Sequence, residues 1–171
     1  MKPMRILARS AVAAALIASP VSTGPAFATP PSGFSPSGVV NGTYGALSMN
    51  TADDKTGKWG LILKTLDNTD IGVDRLDLEP HGYTGWHAHP GPVFVTVTEG
   101  SLKWYDGSDP LCPSHTYTAG QSFIENAYRI HNAVNPSGSA SAQFIAVTIK
   151  PVGFVGPAFV LDRAEPNNCK F

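Results

Sequence analysis

Two histidines, His87 and His89, stand one residue apart, and a third, His131, follows 42 residues after His89. On a β-strand, side chains at i and i+2 leave the same face, so His87 and His89 would present two imidazoles side by side. Neutral imidazole is the commonest protein ligand for transition metals. Two rings on one strand and a third from another strand are the raw material of a metal site. His81 and His115 read as loop or surface residues. The only cysteines are Cys112 and Cys169, and the nearest group to Cys112 that could activate a thiolate is His115.

What must position these residues begins after a leader. Lys2, Arg5 and Arg9 precede an apolar run from Ala11 to Ala18, and Ala26-Phe27-Ala28 supplies small residues before Thr29. That three-part layout is a secretory signal peptide, with cleavage expected after Ala28. The apolar run is far shorter than the ~20 residues needed to span a bilayer. The leader carries three positive charges and no acid, so its removal takes the net charge from −1 to −4. Export also bears on the cysteines. In an oxidising compartment a lone pair is most simply a Cys112–Cys169 disulfide, which would tie down the tail at 163–171.

The remaining chain reads as strands. Charged residues make up 15%, with 17 Gly and 15 Pro among 171 residues. No basic excess is available to neutralise phosphates, with 12 Lys+Arg against 13 Asp+Glu, which argues against a nucleic-acid partner. Residues 29–42 are a flexible Pro/Gly/Ser-rich lead-in. Short β-rich runs then recur at Thr43–Met49, Trp59–Leu66, Val73–Leu78, Val93–Thr98, Leu102–Tyr105, Ser122–Glu125, Phe144–Ile149 and Ala158–Leu161. Several alternate with period two, as in Val93-Phe94-Val95-Thr96-Val97-Thr98, and Gly, Asn, Asp and Pro separate them. One all-β domain over 43–162 is expected, a sandwich or closed barrel.

The histidines sit inside two longer patterns. Gly82 to Gly100, enclosing His87-Ala88-His89, resembles the first motif of the cupin superfamily. Gly120 to Asn135, enclosing His131, resembles the second. The resemblance extends over roughly residues 43–151. It implies a β-sandwich closing into a barrel: a double-stranded β-helix of jelly-roll type. It also implies one divalent transition metal (Fe, Mn, Zn, Ni or Cu) on His87, His89 and His131, and a homodimer.

The departures from the motifs bear on chemistry. Val93 occupies the place where the family carries a metal-binding Glu, and it shares strand parity with His87 and His89. Asn126 and Tyr128 replace the Pro and Gly of the second motif. Three readings stay open. In the first, a three-His site holds the ion with its charge uncompensated by protein, favouring anionic oxygen ligands; in the second, another acid, best Glu125, substitutes; in the third, the site is degenerate and the barrel binds a small ligand, or nothing, without metal. Tyr128 and Arg129 are candidates to position an anionic ligand, and Trp86, Phe94, Trp104, Tyr105 and Phe123 either line an aromatic pocket or pack the core. The expectation is a secreted metal-dependent oxidoreductase, dioxygenase-like, acting on a small anionic or phenolic molecule. The alternative is a non-catalytic ligand-binding module. No membrane partner is expected once the leader is cleaved.

Overall fold

A computed structural model describes residues 28–51, 57, 59–154 and 160–169. The leader expected over residues 1–28 lies outside the described residues except for Ala28, and so does the first half, 158–159, of the run expected at Ala158–Leu161. The described chain is all β, without a helix.

Its strands are β1 (Ser32–Tyr44), β2 (Ser48–Asn50), β3 (Ile62–Lys64), β4 (Thr69–Tyr83), β5 (His87–Ala88) and β6 (Val93–Glu99). They continue as β7 (Ser101–Asp106), β8 (Ser114–Thr118), β9 (Ser122–Glu125), β10 (His131–Val134), β11 (Ala142–Pro151) and β12 (Leu161–Asp162). Strands β2 and β3 form a separate hairpin. The others make one ten-stranded sheet that folds over on itself into a nearly closed barrel, the jelly-roll arrangement expected of the two motifs. One layer runs β1-β4-β11-β6-β9, all antiparallel. The other runs β12-β5-β10-β7-β8. The long β4 links them, pairing with β1 and β11 along most of its length and with β10 only at Tyr83↔Val134. Its irregularity falls at Pro80-His81, where a proline cannot donate to the ladder and His81 takes φ 59°.

Alternation explains which face turns inward. Val93, Val95 and Val97 of β6 are buried while Phe94 and Thr96 between them are exposed. On β11, Phe144 and Ala146 point in. With Leu76 and Leu78 of β4, Leu102 of β7 and Ala133 of β10 they form one core between the layers. Asn135 closes the strand that carries His131. Buried to 1% exposure, it donates through its amide nitrogen to the carbonyls of Leu78, Glu79 and Ala140, and its oxygen accepts from the Ser137 amide.

Local pattern and structure differ in places. The lead-in segment supplies β1, laid antiparallel along β4 from Ser32↔Tyr83 to Tyr44↔Thr69. Its Gly, Pro and Ser content hides it, and backbone pairing with β4 supplies the order that side chains do not announce. The run Thr43–Met49 breaks at Gly45 into the end of β1 and the start of β2. Of Trp59–Leu66 only Ile62–Lys64 is strand. The Cys112–Cys169 disulfide is present and joins the turn after β7 to the C-terminal tail. Just upstream of that tail, β12 pairs with β5, setting Asp162 opposite His87.

Candidate metal centre

Three strand ends bring the imidazoles together. His87 opens β5, His131 opens β10, and the two are paired residues in the ladder. His89 follows β5, and its carbonyl accepts the Tyr128 amide at 2.8 Å, which ties the two histidine-bearing segments together. All three rings are buried, and their donor atoms lie within 4.8 Å of one another. Three atoms so spaced lie within about 2.8 Å of a common point, against the ~2.0–2.1 Å of a metal–imidazole bond. An inward movement of about 0.7 Å per ring would close the gap.

Backbone carbonyls set the ring orientations. His87 Nδ1 is 2.8 Å from the Gly85 carbonyl, and His131 Nδ1 is 2.8 Å from the Arg129 carbonyl. Each contact calls for Nδ1–H as donor; on the neutral His87 ring this leaves Nε2 with a lone pair, the tautomer a metal requires, and His131 reaches the same state once its Nε2 proton is lost. Gly85 is fixed in this role. Its φ is 76°, and a Cβ there would stand 2.3 Å from the Thr29 carbonyl oxygen.

A carboxylate lies against two of the three rings. Glu125, at the end of β9, is buried with Oε2 at 3.1 Å from His89 Nε2 and Oε1 at 3.3 Å from His131 Nε2. The indole of Trp104 donates to Oε1 at 3.1 Å, and its ring stacks on His131 at 5.9 Å between centroids. His131 Nε2 is nevertheless buried without a well-formed hydrogen bond. Burial pushes the Glu125 carboxyl up, but the charge of His131 and the contacts with both imidazoles outweigh it and hold it well below the usual range. For His131, burial acts downward and the Glu125 charge upward, and the upward pull prevails. His87 is driven well down, by burial first and then by its neighbouring imidazoles, so it is neutral at physiological pH.

The cluster opens on a cavity of about 300 Å³ between the layers. Phe34, Trp86, Val95, Leu102 and Phe144 give it apolar walls, and His87, His89 and Glu125 give it a polar region. Asp74 and Thr148 also line it. The hydroxyl of Thr148 is buried without a hydrogen bond, a feature visible in sequence only as a polar residue at an inward position of β11.

Tyr128 and Arg129 are placed otherwise. Tyr128 is 63% exposed with φ 61°, and it meets the site through its backbone. The Arg129 guanidinium is paired with Asp106, and neither residue lines the cavity. Trp86 lines the cavity, and Trp104 and Phe123 pack against the core. Phe94 faces outward, 43% exposed.

Residues 74–148 match a family profile described as Cupin domain. No curated protein matches the chain. Among solved structures, a cupin domain from Bordetella pertussis Tohama I is 24% identical, with 63% of this chain and 95% of that one covered at a TM-score of 0.40. The polyketide cyclase RemF from Streptomyces resistomycificus is 18% identical over 57% of this chain and 65% of its own, with a TM-score of 0.44. A sugar phosphate isomerase from a cupin superfamily of Silicibacter pomeroyi DSS-3 is 29% identical over 47% of this chain and 51% of its own, at 0.41.

Proposed function

The chain is a member of the cupin superfamily, and from that premise we propose that it is a metal-dependent enzyme acting on a small oxygen-bearing molecule, phenolic or anionic, in the barrel cavity. The observation that carries this is the trio of buried imidazoles, two held through Nδ1 by backbone carbonyls so that Nε2 is the atom left for a metal. His131 Nε2 is buried and meets the Glu125 carboxylate at 3.3 Å without a well-formed hydrogen bond, a polar contact at the cavity that a packing residue would not need.

His87, His89 and His131 would hold one divalent transition ion. When bound, such an ion polarises an oxygen ligand or exchanges electrons with it. The protein's own contributions are distinct. The Gly85 and Arg129 carbonyls hold the rings of His87 and His131, while Trp104 stacks on His131 and restrains it from the side. The Asp106–Arg129 pair fixes the turn whose carbonyl His131 uses. The apolar walls exclude water around the reacting molecule, and about 300 Å³ suits a single-ring compound at the small end of ligand pockets. Relatives of the fold include proteins described as a cyclase and an isomerase, so fold alone does not choose the reaction. Oxidation of the dioxygenase type is the reading we favour, since an open three-imidazole site suits redox-active ions.

The disulfide is compatible with an extracytoplasmic location, and with the leader-like N-terminus it supports export and cleavage after Ala28. The decisive test is elemental analysis of protein produced in metal-supplemented medium. About one equivalent of a transition metal is expected, and none in a folded His89→Ala variant. Less than about a tenth of an equivalent in the wild type, or unchanged content in the variant, would reject the reading.

A further inference from the structure

We infer that Glu125 is the fourth protein ligand of this site: the carboxylate absent from the first motif at Val93 is supplied from the adjacent strand. The inference rests on the metal reading above and adds a ligand to it.

The register carries the argument. Val93 of β6 is paired with Glu125 of β9 in the antiparallel ladder. Directly opposed residues send their side chains to the same face of a sheet, with Cβ atoms about 4.5–5.5 Å apart. Both are buried and both line the cavity. A carboxylate rooted at Glu125 therefore enters the space that one rooted at position 93 would enter, displaced by one strand.

The distances to two of the three imidazoles agree, while the carboxylate stands outside the 4.8 Å group that the three imidazole donors form. Ligand atoms held at ~2.1 Å from one ion, at octahedral or tetrahedral angles, are about 3.0–3.4 Å apart. Glu125 Oε2 stands 3.1 Å from His89 Nε2, and Oε1 stands 3.3 Å from His131 Nε2. The Trp104 indole, donating to Oε1, aims the carboxylate at the imidazoles. Such second contacts are what orient metal-bound carboxylates.

The consequence is a change in ligand class. With three imidazoles alone, the ion would keep its full charge and select anionic oxygen donors. With Glu125 bound, one charge is compensated by protein, so neutral and singly charged oxygen donors (a phenol or its monoanion, a hydroxyketone) become suitable. Glu125 could instead serve only as a counter-charge that positions the imidazoles, and the test must separate the two roles.

Cobalt(II) is the probe, added to chelator-stripped protein and followed by its visible absorption and by elemental analysis. Wild type should take one cobalt per chain. Glu125→Gln, nearly isosteric, should bind roughly 10–100-fold more weakly and, at saturating cobalt, show a different absorption spectrum. The double variant Val93→Glu/Glu125→Val should regain affinity over Glu125→Val alone. A Glu125→Gln spectrum superimposable on wild type, whatever the affinity, overturns ligation. A folded double variant no tighter than Glu125→Val overturns the transfer between strands. Wild type that binds no cobalt overturns this inference together with the metal reading, whereas cobalt bound equally by wild type and Glu125→Gln overturns this inference alone.

Discussion

Val93 and Glu125 face each other across the β6–β9 ladder, the apolar residue where the first motif has an acid and the acid one strand away. Thr148 continues the same row on the other side of Val93, on β11. Glu125, Val93 and Thr148 are buried and line the cavity, so one rung of the barrel carries a carboxylate, an apolar spacer and a hydroxyl in sequence across three strands.

Near this row, Asp74 provides a pH-dependent test of the cavity's polarity. Burial raises its pKa, and the nearby Lys150 pulls it back only in part. The fold therefore prefers the protonated acid. The associated stability is complete below about pH 4 and is lost as pH rises through the raised value. Asp74→Asn stays neutral throughout, so its melting temperature relative to wild type should climb as pH rises from about 4 through the raised value. Thermal unfolding at several pH values would show it. A difference that stays constant with pH would refute the assignment.

The disulfide should matter for both fold and site. Cys112 and Cys169 are 57 residues apart, and a loop of that size contributes roughly 4 kcal/mol by chain entropy. The Asn168 side chain also donates to the Asp109 carbonyl at 2.7 Å, and β12 just upstream pairs with the strand of His87. Replacing both cysteines with Ala should lower stability by about that amount in denaturant unfolding. Titration of the denatured, unreduced protein should find no free thiol; two would contradict the bridge.

Asn135 should be among the costliest single positions outside the site. Its side chain satisfies three carbonyls and one amide in a setting 1% exposed. Asn135→Ala leaves those groups buried and unpaired, for an expected loss of about 3 kcal/mol. A loss under about 1 kcal/mol in urea unfolding would mean that water replaces the amide without cost.

Much of the barrel is legible in local pattern. Val93 to Thr98 alternates because one face of β6 meets the core and the other meets solvent. The i, i+2 spacing of His87 and His89 works for the same reason, since period two is a property of the strand itself. Less legible was β1, whose Gly-, Pro- and Ser-rich segment is ordered by pairing with β4, 25 residues further along at its nearest pair, Tyr44↔Thr69. Arg129 reads as a candidate anion-binding group from its place beside His131. Only the approach of Asp106 from β7, across the β7–β10 ladder, shows its guanidinium already paired.

Residue order alone thus settled the class of fold, the strands with clear alternation and the three imidazoles, because each depends on periodicity or motif spacing within short stretches. Residue order offered Glu125 as the candidate fourth group of the site but left open whether it reaches the imidazoles. Whether Glu125 enters the cavity depends on the register of β9 against β6, and a slip of one residue would turn its side chain to the opposite face. That register is set by barrel closure and by interstrand hydrogen bonds joining residues about thirty positions apart. Tertiary structure therefore decided that the acid missing at Val93 has a counterpart across the ladder.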